Sequence, residues 1–197
     1  MDNRGITLTG SPGCSFGSLD SSPEVSSMNA AEVRFCVRCG SELKPELRFG
    51  KLRPTCHQCG WIYFPDPKVA VAVLICQNDQ VLLVRRVNEP YRGRWTLPAG
   101  FLDADEAPVA AVARECLEET GLKIRVTSLL EVIARQEHRR GAHLLLVYRG
   151  EILSGELRPG DDADQAGFFP LTALPPLAFE STAEIIQRFL ESKDGRR

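Results

Sequence analysis

The stretch Pro108–Thr120 (PVAAVARECLEET) limits the folding of this 197-residue chain more than any other. Its punctuation is that of a helix. Proline is tolerated in a first turn, where its missing N–H has no partner to lose, and Gly121 follows as a residue able to close the last turn. At 100° per residue, Glu115, Glu118 and Glu119 share one face, while Val109, Val112, Ala113 and Cys116 share another that faces a core. A helix with one apolar stripe and one carboxylate stripe has little freedom to rotate. Like charges at this spacing cost roughly 0.2–0.5 kcal/mol per pair, so the acidic stripe is either simply solvated or organised around a cation. Clustered oxygens suit hard divalent ions, whose charge turns the repulsion into attraction.

Four of the seven cysteines form two Cys-x-x-Cys pairs, Cys36/Cys39 and Cys56/Cys59, with 16 residues between them. That spacing matches a four-thiolate zinc site. Each pair is followed by glycine, Gly40 and Gly60, which permits a tight turn under the sulfurs. A segment of this length buries little surface alone, so metal would supply its folding energy, on the order of 10–16 kcal/mol as apparent binding. The competing reading is four unrelated thiols or a redox pair. His57, inside the second knuckle, reads as solvent-facing.

The pattern divides the chain into residues 1–33, rich in Ser, Gly and Pro and read as a disordered arm; 34–65, a zinc ribbon; 66–192, a hydrolase domain; and 193–197, a flexible tail. Lys68–Cys76 is a continuous β-branched run, expected as a buried strand, with Val81–Arg86 as its partner. Two more strands are expected in 124–135 and 143–153. Residues 158–167 read as an acidic loop, and 180–192 as a closing amphipathic helix. Strands mixed with two helices give an α/β class. Net charge is −2 and no stretch reaches the ~20 apolar residues of a membrane span, so neither a global nucleic-acid field nor a membrane is implied. The paired cysteines and the lack of a recognisable leader suit a reducing, cytoplasmic setting.

The box around the helix is more specific than its charges. Gly100, five residues, Glu106, seven residues, then Arg114-Glu115-Cys116-Leu117-Glu118-Glu119-Thr120-Gly121-Leu122 resembles the Nudix box, G-x(5)-E-x(7)-R-E-U-x-E-E-x-G-U, at every specified position. Cys116, where the family usually has an aliphatic residue, is a mild departure. With the cysteine knuckles included, the chain is similar to Nudix proteins carrying an N-terminal zinc ribbon, among them FAD/ADP-ribose diphosphatases. The resemblance implies an α/β/α sandwich with a mixed sheet and hydrolysis of a nucleoside diphosphate linked to another moiety. It also implies that Glu115, Glu118 and Glu119, with the Ala99 carbonyl, bind Mg²⁺ or Mn²⁺. Arg114 would hold the box carboxylates in place, and Glu106, Gly100 and Gly121 would be structural. The base is left open between Glu118, Glu119 and a loop acid, Asp162 or Asp164.

The substrate is less legible. The array typical of NADH-selective members and the coenzyme A signature are absent, and His138 stands where one ADP-ribose subgroup has proline. Resemblance favours FAD or ADP-ribose, with NADH or a nucleoside triphosphate as the alternative. Arg92, Arg94, Arg135, Arg139 and Arg140 are candidates to meet phosphate or stack on a base. A different class is a ligand-sensing or nucleic-acid-binding Nudix regulator using the ribbon, where Arg34, Arg38, Lys44, Arg48, Lys51 and Arg53 outnumber Glu42 and Glu46. A regulator needs no intact carboxylate set, so a small-molecule nucleotide is the expected partner and nucleic acid is not. The ribbon then has a structural role, bracing a sheet or a homodimer interface.

Overall fold

The computed structural model describes residues 33–139 and 141–194. The expected arm, apart from Val33, lies outside the described residues, as do Arg140 and the last three positions of the expected tail. Contacts divide the chain between Pro65 and Asp66.

In the first unit, β1 (Leu43–Arg48) and β2 (Lys51–Cys56) form an antiparallel hairpin, Leu43 opposite Cys56 and Arg48 opposite Lys51. Its two-residue turn, Phe49–Gly50, has positive φ at both positions, 51° and 74°, which suits the right-handed twist of paired strands. Sequence reading left this segment as a linker, because Pro45 and Pro54, which face each other, disguise the strand alternation. The hairpin brings the two knuckles together. Gly40 and Gly60 donate their N–H to the Cys36 and Cys56 carbonyls at 2.9 Å. Cys36, Leu43 and Cys56 form a small core with Val33 and Trp61 against it.

The second unit contains β3 (Val69–Leu74), β4 (Cys76–Gln77), β5 (Gln80–Arg86), β6 (Trp95–Thr96), β7 (Ala99–Phe101), α1 (Pro108–Thr120), β8 (Leu122–Ile133), β9 (Leu144–Gly155), β10 (Ala163–Pro170) and α2 (Glu180–Asp194). One sheet has the order β7-β3-β9-β8 and is mixed, with β3 parallel to β9. The other has the order β10-β5-β4, with β6 also paired to β5. Two apolar cores flank the sheets. Val71, Val73 and Ile75 pack with Ala111, Val112 and Cys116 of α1. Ala72, Leu74 and Leu83 pack with Ile185 and Ile186 of α2. The arrangement is the expected α/β sandwich. Among the described residues no helix is long and apolar enough to cross a membrane.

Three local expectations are corrected. The run Lys68–Cys76 is not one strand: the chain leaves the mixed sheet after Leu74 and enters the other as β4, so β5 pairs with β4, β6 and β10 rather than with β3. A run that is apolar on both faces carries no mark of where it changes sheet. The acidic loop is half strand, since Ala163–Pro170 pairs with β5 along a sheet edge, where charged side chains are tolerated. Finally, Val109 is 51% exposed and Ala111 is buried in its place, while Glu119 is only 5% exposed. Glu119 follows Val112 by nearly two full turns, so it lies in line with a buried valine.

Gly121 ends α1 with φ 72°. A Cβ there would stand 2.6 Å from the Glu156 carbonyl oxygen. Gly121→Ala is therefore expected to destabilise the protein by about 1–3 kcal/mol, read as a lower midpoint in denaturant unfolding.

Candidate active site

α1 presents Arg114, Glu115, Glu118 and Glu119 beside the β7 backbone. All five N–H groups of a guanidinium can donate, and Arg114 makes five such bonds. Nε and Nη2 grip the two oxygens of Glu106 at 2.9 and 2.8 Å. Nη1 reaches Glu115 Oε1 at 2.8 Å and Glu118 Oε2 at 3.0 Å, and Nη2 also reaches the Phe101 carbonyl at 3.3 Å. The Arg114 hydrogen bonds hold the Glu106 carboxyl below the usual carboxylate range. Burial raises Glu115, and Arg114 opposes that rise.

Glu119 is the buried member. It accepts the Ala99 N–H at 2.9 Å. Burial nevertheless pushes its carboxyl up to about 8. Ala99 was expected to offer its carbonyl; the contact present is through its N–H, and Ala99 also lines the cleft described next. Gly100 is required for close approach: a Cβ would lie 2.0 Å from the Glu115 carboxyl.

Gly100, Arg114, Glu115 and Glu118 line a cleft of about 530 Å³; Glu106 and the buried Glu119 are not among its lining residues. The structure separates the two loop acids left open above. Asp162 lines the cleft and accepts the Asn88 side-chain N–H at 2.7 Å. Asp164 faces Arg85 across the sheet edge, in a two-bond pair at 2.8 and 2.9 Å. The arginines sort differently from expectation. Arg92, Arg94 and Arg139 are not among the lining residues; Arg135 is, but it is engaged by Glu137 and Glu184.

Sequence reading missed Arg86. It lines the cleft, donates Nε to the Pro90 carbonyl at 3.2 Å, and has no acceptor for its terminal nitrogens among the described residues. Burial lowers its pKa, against the attraction of Glu119, Asp162 and Glu89. The available signal was strand parity: two arginines end β5, and if Arg85 faces one side Arg86 must face the other.

In the first unit the four sulfurs converge. Cys36 and Cys59 are 3.6 Å apart, Cys39 and Cys56 are 3.5 Å apart, and all four donor atoms lie within 4.8 Å of one another. Tetrahedral zinc with ~2.3 Å bonds sets sulfurs about 3.8 Å apart, so the set fits.

Residues 66–189 match the family model for the NUDIX domain. The chain belongs to the Nudix family. Hydrolysis of a phosphoanhydride bond in a nucleotide-linked diphosphate is the reaction class of this family, and of this chain as a member. The chain is 40% identical to an ADP-ribose pyrophosphatase of Methanocaldococcus jannaschii over 130 residues, 66% of this chain and 76% of that protein. It is 32% identical to the NAD-capped RNA hydrolase NudC of Pseudomonas aeruginosa over 169 residues, 84% of this chain but only 59% of NudC. Among solved structures, a NUDIX hydrolase from Nitrosomonas europaea superposes with TM-score 0.75 at 30% identity, covering 83% of this chain and 93% of that one.

Gly100→Ala tests the packing of β7 on α1 in this Nudix site. The added methyl displaces the flexible end of Glu115 rather than backbone, so the fold should survive. Displacing a reacting group by ~1 Å costs about 10²-fold, and a loss of that order in turnover, with an unchanged circular-dichroism melt, is the expected outcome.

Proposed function

We propose that the protein hydrolyses the diphosphate of ADP-ribose or FAD with Mg²⁺ or Mn²⁺ bound at Glu115, Glu118 and Glu119. The observation that carries this reading is the five-bond clasp of Arg114, which gathers Glu106, Glu115 and Glu118, the last two lining a cleft of nucleotide size. Oxygen donors suit these hard cations. When bound, such a metal neutralises diphosphate charge and acidifies a water.

The chain's own residues do the rest. Arg114 keeps Glu115 and Glu118 aimed and anchors the loop through Glu106 and the Phe101 carbonyl. Asp162, held by Asn88 at the cleft wall, is one of three candidates to take the water's proton, with Glu118 and Glu119. Arg86 offers the phosphates its terminal N–H groups, which have no acceptor among the described residues. Likeness to the archaeal ADP-ribose pyrophosphatase puts ADP-ribose first. The NudC match extends beyond the Nudix domain and favours a dinucleotide alternative of the NADH type. The four thiols are assigned to structural zinc: a four-sulfur set closes the coordination sphere and leaves no position for a reacting water. The cleft fits a small nucleotide, and the thiols among the described residues, none in a disulfide, suit the reducing cytoplasm.

A panel of ADP-ribose, FAD, NADH and nucleoside triphosphates with Mg²⁺, read as AMP or pyrophosphate release, tests the reaction. Glu118→Gln removes charge with little change of shape. It should lower turnover by roughly 10²–10⁴ while stability without Mg²⁺ stays level or rises. Near-normal hydrolysis by that variant would sink Glu118 as a ligand.

Glu119 supplies a pH test. Its folded pKa is raised, so its contribution to metal-free stability is fully present below the unfolded value of 4.5 and declines as pH rises towards about 8. Ligation needs the carboxylate, so Mg²⁺ binding at pH 7 should release close to one proton, and affinity should climb up to about pH 8. Calorimetry in two buffers of different ionisation enthalpy measures that release; none at pH 7 would contradict the assignment.

A further inference from the structure

The wall of the cleft carries an aromatic group of side chains outside the box carboxylates. Phe179, just before α2, stands 6.1 Å from His138 ring to ring, with planes 21° from parallel. Tyr91 meets Phe179 edge-on at 5.4 Å, and the Arg86 guanidinium lies 5.0 Å from its centroid. Phe179, His138 and Arg86 all line the cleft. His138 rests on Gly141, where a Cβ would come within 2.9 Å of Nε2, so the ring is positioned by a residue with no side chain. A 6.1 Å centroid separation is that of two rings in offset contact, so His138 and Phe179 form one aromatic surface at the cleft wall.

Glu137 lies next to this pair with 14% of its side chain exposed. Its Oε1 accepts the Ser181 N–H at 2.7 Å and an Arg135 N–H at 3.2 Å. Its Oε2 has no protein donor among the described residues, and Glu137 lines the cleft. An ionised carboxylate only accepts, so that oxygen selects a ligand that donates.

We infer that this wall is a nucleobase subsite for a base bearing an exocyclic amino group, stacked on the joint Phe179–His138 surface and donating that amine to Glu137. The inference rests on the nucleotide reading of the cleft and adds which part of the nucleotide is read, and by which residues. Stacking is tolerant of base identity, because every base has a π face. Discrimination falls to Glu137: a 6-aminopurine gives it a donor, whereas a 6-oxopurine presents a carbonyl to the same oxygen. Arg86, over the same ring and attracted by Glu119 and Asp162, links the stack to the carboxylate cluster.

The test uses the full chain with Mg²⁺ and three probes, AMP, IMP and ribose 5-phosphate, titrated calorimetrically. Wild type should bind AMP at least about tenfold tighter than ribose 5-phosphate, and tighter than IMP. Phe179→Leu keeps apolar volume but has no π face. It should lose about tenfold in AMP affinity with ribose 5-phosphate binding and melting temperature unchanged, and should raise KM for ADP-ribose more than it lowers kcat. Glu137→Gln should shrink the preference for AMP over IMP. Equal AMP binding by wild type and Phe179→Leu, or equal binding of AMP and ribose 5-phosphate by wild type, would overturn the subsite. An AMP preference that survives Glu137→Gln would overturn the amine contact. A protein that binds AMP through Phe179 yet hydrolyses no diphosphate would overturn the proposed reaction and leave the subsite standing.

Discussion

Arg114 is the interaction on which the arrangement of the site depends. Glu115 and Glu118 project from one helix close enough to repel, and Glu106 comes from the loop before it. A single planar cation with five donors collects all three, together with the Phe101 carbonyl. Lysine could not substitute, because a point charge with three donors cannot grip Glu106 through both oxygens and reach two further acids. The network has a structural and a chemical effect at once. It ties the 101–107 loop to α1 and holds the acids in a defined geometry, with their repulsion offset by the guanidinium.

Depth is set by the two cores. β3 sends Val71 and Val73 towards α1 and Ala72 and Leu74 towards α2, so the strand is fixed from both sides. β7 pairs with β3 through Ala70, Val71 and Ala72, which carries Ala99 and Gly100 to the α1 surface. Burial of Glu119 follows from that approach, and so does its high pKa: the acid is taken out of water with one backbone N–H as its nearest compensation. Such a group favours its neutral form up to about pH 8.

The cleft combines elements remote in the chain. Arg86 ends a strand, Asp162 enters another, Glu137 and His138 follow β8, and Phe179 precedes α2. The Ser181 N–H bond to Glu137 joins the first turn of α2 to the segment after β8, so cleft-lining residues are braced by a helix terminus. The box supplies chemistry from one contiguous stretch, while the surfaces that would choose a substrate are assembled from separate segments.

That difference explains what could be read in advance. The sequence determined α1 to its terminal residues, the glycine that closes it, the Nudix family and the pairing of two cysteine knuckles, because each depends on short-range spacing and a fixed helical or turn geometry. It also gave the α/β class through alternation and apolar runs. Only the tertiary structure decided that the Lys68–Cys76 run divides between two sheets, that Asp162 rather than Asp164 lines the cleft, and that Arg86 and Phe179 flank it. Asp164 and Asp162 are neighbours of the same chemistry; a strand register that offers Arg85 to one of them removes it from the cleft. Local spacing cannot record that choice, because it depends on which face of a distant strand each side chain meets.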